Sequence, residues 1–256
     1  MGSQREEKFF LSVIIPAYNE ETRVEQTLSK IRYYLSQKDY SSEIIVVDDG
    51  SCDETAGRAA EALKGMEHAR VLSRSQNFGK GYSVKEGILQ AKGKLILFSD
   101  ADLSTPIEEL DKFLPWIDRG FDVVIGSRAL PESDIQVHQS FFRELLGKMF
   151  NVLVQILVMR GIKDTQCGFK LFRREAALDV FPRVKIKKFS FDVEALYLCR
   201  KLGYRIQQVP VVWRNSPQSR VRIFSSSLKM FLDLWRIRLS HRGVSKGRER
   251  ERMGEK

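Results

Sequence analysis

Four consecutive apolar residues, Leu95-Ile96-Leu97-Phe98, run straight into Ser99-Asp100-Ala101-Asp102-Leu103-Ser104. A short continuous apolar run bounded by polar residues reads as a strand buried on both faces, the kind found in parallel sheets. Its carboxyl end then delivers Asp100 and Asp102 to the sheet edge where open α/β folds bind ligands. Two carboxylates one residue apart repel each other unless something positive joins them. A hard divalent cation, which takes oxygen ligands and bridges to substrate phosphates, meets that need. The plainer reading is a strand end with two solvated aspartates.

The rest of the first half repeats the pattern. Residues 9–15 form an apolar run stopped by Pro16, with Ala17-Tyr18-Asn19-Glu20 behind it. Residues 43–47 end in Asp48-Asp49-Gly50-Ser51, and 123–125 end in Gly126-Ser127-Arg128, with a shorter run at 71–72. Helices are predicted between them, over about 20–35 and 53–63, from an Asn77-Phe78-Gly79-Lys80-Gly81 turn through about 91, and over 106–117, the last with Pro106 in its first turn. The alternation predicts an α/β fold, a mostly parallel sheet with helices on both faces. Tyr18, Glu20, Asp48, Asp49, Asp100, Asp102 and Arg128 all follow apolar strands, so they are expected to converge along one edge. Helix capping accounts for one or two such residues, not for the whole set.

The second half changes character. Residues 141–159 have helical spacing, with Arg143, Glu144 and Lys148 among large apolar residues. Asp164-Thr165-Gln166-Cys167-Gly168-Phe169-Lys170 is a compact polar and aromatic segment, and 191–202 reads as a helix closed by Gly203. Residues 205–213 read as one strand whose Pro210 puts it at an edge. Leu228, Phe231, Leu232, Trp235 and Leu239 lie at helical spacing within 225–240, flanked by Lys229, Arg236 and Arg238. The expected organisation is a catalytic domain over 9–215, a basic loop and amphipathic helix over 216–240, and a disordered charged tail over 241–256.

Charge and composition narrow the chemistry. The chain carries 43 basic and 33 acidic residues, a net charge of +10, which implies an anionic partner: nucleic acid, an anionic membrane, or phosphorylated ligands. No recognised nucleic-acid motif supports the first. A P-loop, a strand–G-x-G-x-x-G–helix unit and a G-x-S-x-G elbow are all missing. His68, His138 and His241 are scattered, without zinc spacing, and read as surface residues. Cys52, Cys167 and Cys199 lie far apart, which suits a reducing compartment. The first residues are polar, with no signal peptide, and no apolar run reaches the length of a membrane span. What remains suits a nucleoside diphosphate with a bound cation. Asp48 or Asp49 would accept hydrogen bonds from a base or ribose, and Tyr18 would pack on the base.

Val13-Ile14-Ile15-Pro16-Ala17-Tyr18-Asn19-Glu20, Val46-Val47-Asp48-Asp49-Gly50-Ser51 and Asp100-Ala101-Asp102, in that order, resemble the family 2 inverting glycosyltransferases of GT-A fold. Asp100-Ala101-Asp102-Leu103-Ser104-Thr105-Pro106, Ile125-Gly126-Ser127-Arg128, residues 164–170 and Phe191-Asp192-Val193-Glu194 resemble the polyprenyl-phosphate glycosyltransferases, nearest the dolichyl-phosphate β-glucosyl type. The resemblance spans 9–239. It implies inverting transfer of a hexose, glucose from UDP-glucose foremost, to a polyprenyl or dolichyl monophosphate. Pro16, Ala17, Tyr18, Glu20, Asp48, Asp49, Lys80, Asp100, Ala101 and Asp102 are the residues implied for the nucleotide sugar. Asp100 and Asp102 are those implied for Mg²⁺ or Mn²⁺. Ser104 stands where mannosyl relatives often have a metal-binding Gln, so a hydroxyl or a water fills that place. Asp102, Arg128 and Arg143 are the catalytic candidates, the two arginines gripping the acceptor phosphate.

Other roles stay open. Asp164 and Gln166 border the metal or acceptor, or simply form a turn; Asp192 and Glu194 border the acceptor, or simply cap and solvate a helix. Arg220 and Arg222 close over the donor phosphates or form a solvated loop. Many eukaryotic relatives carry an N-terminal membrane helix, whereas this chain starts polar. It is therefore expected at the cytoplasmic face of a membrane, held peripherally through 225–240 and 141–159 unless those stripes pack on the core. The competing readings are a family 2 enzyme using GDP-mannose, UDP-GlcNAc or a non-lipid acceptor, and a non-catalytic nucleic-acid binder.

Overall fold

The computed structural model describes residues 8–137, 141–215 and 223–244, without the side chains of 141–143 and 223–229. Apolar runs form the centre. Phe9–Ala17 is strand β1, followed by helix α1 (Val24–Ser36), β2 (Ser42–Asp48), α2 (Thr55–Ala62), β3 (Ala69–Ser73), α3 (Lys80–Gln90) and β4 (Gly93–Ser99). Then come α4 (Leu110–Asp118), β5 (Val123–Ser127), β6 (Asp134–Val137), α5 (Phe141–Leu157), β7 (Phe169–Arg173), α6 (Arg174–Val180), α7 (Phe191–Lys201), β8 (Ile206–Pro210), β9 (Val212–Arg214) and α8 (Ile223–Ser240). Seven strands form one sheet in the order β3-β2-β1-β4-β7-β5-β8; β6 and β9 pair separately.

Every pair in the large sheet is parallel except those of β7, which runs antiparallel between β4 and β5. Alternation along the strands splits the core in two. Ile14, Ile45, Ile96 and Phe98 face the side covered by α3, α6 and α7, while Val13, Ile15, Leu95 and Leu97 face α1 and α4. The helices on both faces and the mostly parallel sheet are as the sequence predicts.

The differences are local. Glu20 and Glu21 precede the first helix, which begins only at Val24; they sit in a turn where the Glu20 N–H donates to Thr55 Oγ1 at 2.7 Å. Pro106 stands ahead of a short 3₁₀ turn, Ile107–Glu109, and α4 starts after it. The single strand expected over 205–213 is two, since Ser127 pairs with Pro210 while Val212 pairs with Asp134. Pro210 does lie on the outermost strand. His241, expected in a solvated tail, is buried, with Nε2 2.6 Å from Glu194 Oε1.

Helices α5 and α8 are apolar on two sides. Val154, Leu234 and Ile237 are buried, and the Arg238 guanidinium donates to the Leu157 carbonyl at 3.0 Å, joining the two helices. Leu145, Met149, Val152 and Ile156 on α5, and Leu232, Trp235 and Leu239 on α8, are exposed. Among the described residues no helix is long and apolar enough to cross a membrane.

Helix α3 lies close on the sheet because Gly87 has no side chain: a Cβ there would sit 2.4 Å from Ile14 Cγ2 and 3.1 Å from Val47 Cγ2. Gly87→Val is expected to cost about 1–3 kcal/mol through overpacking, read as a lower denaturant midpoint with an unchanged m-value.

Candidate active site

The loops after β1, β2 and β4 are stitched together by short polar contacts. Asn19 N–H donates to Ser51 Oγ at 2.8 Å, Cys52 N–H to Asn19 Oδ1 at 2.8 Å, and Thr27 Oγ1 to the Ala101 carbonyl at 2.6 Å. Between them opens a cavity of about 360 Å³, lined by Pro16, Ala17, Tyr18, Glu20, Asp49, Lys80, Asp100, Ala101 and Asp102. That is nine of the ten residues expected around a nucleotide sugar, and the volume is within the range of small-molecule sites. Asp48 is the exception: it is buried beneath the cavity and accepts from the Ser51 N–H and hydroxyl. Asp49 lines the wall, but its carboxylate accepts from the Phe78 N–H at 3.0 Å, the Gly79 N–H at 2.7 Å and Arg74 at 2.9 Å. Asp49 therefore pins the 78–79 turn. Asn77, Gly79, Ser83, Lys188 and Phe189, given no site role by the sequence, complete the lining. Only the Gly79-Lys80-Gly81 turn, a weak signal in itself, points toward the first three.

The aspartate pair is held under tension. Leu103, between Asp102 and Ser104, has φ of +43°, a left-handed conformation that a leucine adopts only when its surroundings impose it. The Ser104 N–H donates to Asp102 Oδ1 at 2.9 Å, so Ser104 steadies Asp102 through its backbone. Burial, then the neighbouring Asp100 charge, raise the Asp102 pKa above the usual carboxylate value. The Asp100 N–H donates to the Gly168 carbonyl at 3.0 Å, and its carboxylate lies directly over Gly168. Asp100 Oδ1 is buried with no hydrogen-bond partner, although Lys80 Nζ makes an ion contact with it at 2.5 Å. Among the described residues no three His, Cys, Asp or Glu side chains cluster as a protein-only metal site. Two hard carboxylates at a cavity wall, one contacted at Oδ1 by a lysine ammonium, fit a cation that takes its remaining ligands from a substrate.

Arg128 lies in a second cavity, of about 290 Å³, with Lys148, Asn151, Lys163, Asp164, Gln166 and Trp213. Asp164 holds it in a fork, Nε to Oδ2 at 2.7 Å and Nη2 to Oδ1 at 2.9 Å. Burial opposes the charge on Asp164, but the adjacent guanidinium outweighs it and draws the carboxyl down to about 2. Asp164 thus orients Arg128, and Asp100 is among the charges acting on that arginine. Asp192 is buried against Lys170, at 2.6 Å, and lines neither cavity. Arg143 belongs to α5, but its side chain lies outside those described, as do Arg220 and Arg222 altogether.

The profile of glycosyl transferase family 2 matches residues 12–181, and the chain belongs to that family. It is 40% identical over 247 residues to the dolichyl-phosphate beta-glucosyltransferase of Dictyostelium discoideum, covering 92% of this chain and 76% of that protein. A protein of the same name from Drosophila melanogaster is 41% identical, over 89% of this chain and 74% of its own length. The fold is shared with glucosyl-3-phosphoglycerate synthase from Mycobacterium tuberculosis, solved with Mn²⁺, UDP-glucose and phosphoglyceric acid. The TM-score is 0.64 over 95% of this chain and 83% of that one, at 21% identity. This is the GT-A fold that the sequence resemblance implies.

A Cβ on Gly168 would fall 1.9 Å from Asp100 Oδ2, so any side chain there must push the carboxylate aside. Gly168→Ala is expected to lower the sugar-transfer rate about 100-fold, the scale of a small misplacement in an active site. Its melting temperature should stay within about 4 °C of the parent.

Proposed function

We propose that the chain transfers glucose from UDP-glucose to the phosphate of a polyprenyl monophosphate such as dolichyl phosphate, inverting the anomeric centre. The names of its relatives support the acceptor and the sugar, and the ligands of the M. tuberculosis structure support the donor and the cation. The observation that carries the reading is the pairing of the two cavities. One is walled by Asp100 and Asp102, the other is basic, and Asp100 and Arg128 feel each other's charge.

In the first cavity Asp100 and Asp102 would hold Mg²⁺ or Mn²⁺. Bound there, a divalent cation neutralises the donor diphosphate and makes it a better leaving group. Tyr18, half-exposed at the mouth, offers its ring to the base, and Lys80 offers its ammonium to the phosphates. In the second cavity Arg128 receives the acceptor phosphate. Its Nε and Nη2 are occupied by Asp164, while Nη1 has no hydrogen bond to the described residues. Lys148 and Lys163 add charge on the same cavity, and Arg143, on the first turn of α5, is assigned to the same phosphate. A phosphate monoester has a second pKa of about 6 and is largely dianionic at neutral pH. It attacks without a general base; the cations overcome its repulsion from the donor and orient it behind the anomeric carbon.

A basic cavity alone fits any phosphate monoester. The apolar outer faces of α5 and α8 favour a lipid. Leu145, Met149, Val152 and Ile156 fall on one stripe, and Leu232, Trp235 and Leu239 on another, with Lys148, Arg236 and Arg238 alongside. This is the composition of an interfacial surface, and we assign it to peripheral contact with the cytoplasmic leaflet, a reducing side that suits three free cysteines.

Incubated with labelled UDP-glucose, polyprenyl phosphate and Mg²⁺ or Mn²⁺, the protein is expected to move label into the organic phase. Chelation should stop this, and Asp102→Ala should slow it by about 100-fold or more. Label that stays wholly aqueous would remove the lipid acceptor from the reading. Replacing Leu232, Trp235 and Leu239 together by Ser is expected to weaken co-sedimentation with anionic vesicles by about tenfold or more, since each buried apolar side chain contributes about 1.5–3 kcal/mol. UDP binding should be unaffected.

A further inference from the structure

Lys80 is the first residue of α3, and its backbone is wedged on both sides. A Cβ on Gly79 would fall 2.5 Å from the Lys187 carbonyl oxygen, and one on Gly81 2.5 Å from Phe191 Cβ. The helix start therefore lies hard against the 187–191 segment, which fixes where the lysine begins. Its ammonium ends 2.5 Å from Asp100 Oδ1. Three carboxylates face it, Asp100 first, then Asp192 and Asp102. The other nearby cations have partners of their own: Arg23 pairs with Glu20, Lys170 with Asp192, and Arg128 with Asp164. Burial works against the charge on Lys80, but the three carboxylates outweigh it and the group stays protonated.

We propose that Lys80 is the built-in counter-ion of Asp100, and that it makes divalent-cation binding conditional on the nucleotide. The proposal rests on the donor cavity assigned above. A dication on Asp100 must approach an ammonium that already touches the same oxygen. Like charges so close repel strongly in a partly desolvated wall, because water screens them poorly. A diphosphate in the cavity changes the balance. It offers Lys80 another anion to contact and supplies the oxygen ligands that two carboxylates lack. Cation and nucleotide then bind as a coupled pair, each strengthening the other by the same factor, as linkage requires.

The test is Mn²⁺ titration of the whole 256-residue chain, with free Mn²⁺ read by its electron paramagnetic resonance signal, with and without UDP. The wild type is expected to bind Mn²⁺ at least about tenfold more tightly when UDP is present, within the usual range of coupling between sites. UDP should tighten by the same factor when Mn²⁺ is added. Lys80→Met should bind Mn²⁺ alone about tenfold more tightly than the wild type and lose most of the coupling, while Lys80→Arg, which keeps the charge, should behave as the wild type. Equal Mn²⁺ affinity in the wild type with and without UDP would overturn the proposal without any variant. So would a Lys80→Met protein that binds Mn²⁺ alone no better than the wild type; Lys80→Gln gives the same comparison if the methionine variant does not fold. If the titrations behave as expected but no label reaches lipid in the transfer assay, the acceptor assignment fails and the role of Lys80 stands.

Discussion

The repulsion between Asp100 and Asp102 is the constraint around which the rest of the site is arranged. Two carboxylates at the end of a buried strand raise each other's energy, and burial raises it further. The chain answers with cations and with shape. Lys80 contacts Asp100, and the Arg23 charge acts on both aspartates while its guanidinium holds Glu20. Gly168 supplies the space in which the Asp100 carboxylate lies, and the Ser104 N–H steadies Asp102. The Ala101 carbonyl between them is taken by Thr27 of α1. The arrangement holds two oxygen-rich groups at one wall, open to a ligand that brings positive charge with it.

Much of this was legible because the parallel strands are buried on both faces. Apolar runs ending in polar residues announced β1, β2, β4 and β5 and the edge they share, and with it the cavity lined by Tyr18, Glu20, Asp49 and Asp100. β7 was not legible. Its second residue is Lys170, and a charged residue inside a short strand suggests a solvated face; the structure buries it because Asp192, on α7, supplies the opposite charge. Running antiparallel, β7 starts at the edge where its neighbours end. That is how Asp164 and Gly168, which precede it, come to lie beside Arg128 and Asp100. The division of labour between Asp48 and Asp49 was equally hidden. Both follow the same strand, and only the positions of Ser51 and the 78–79 turn separate them. Lys188 and Phe189 sit in an irregular segment with no periodicity to betray a role.

The segment over 185–189 links distant parts of the molecule. Glu194 Oε2 accepts from the Lys185 and Ile186 N–H groups at 3.0 and 2.7 Å, while its Oε1 meets His241 just beyond α8. The Lys187 carbonyl accepts from Tyr82 of α3 at 3.1 Å, and Lys188 and Phe189 form part of the donor-cavity wall. One buried carboxylate thus ties the end of the helix that bears Trp235 to the segment that borders Lys80. Glu194 is fully enclosed and has three partners, so removing its carboxylate altogether would leave two backbone donors and an imidazole unsatisfied at once.

Leu103 shows a different kind of economy. Its left-handed backbone closes the turn that follows the two aspartates, its N–H donating to the Asp100 carbonyl at 3.1 Å, and its side chain packs against the core beneath the sheet edge. A glycine would relax the backbone but give up that anchor, and the unfolded chain would gain freedom at the same position. Conformational ease and geometric definition therefore pull in opposite directions at this one residue. The turn just after the carboxylates is a place where selection for a more robust protein and selection for a faster one would favour different amino acids.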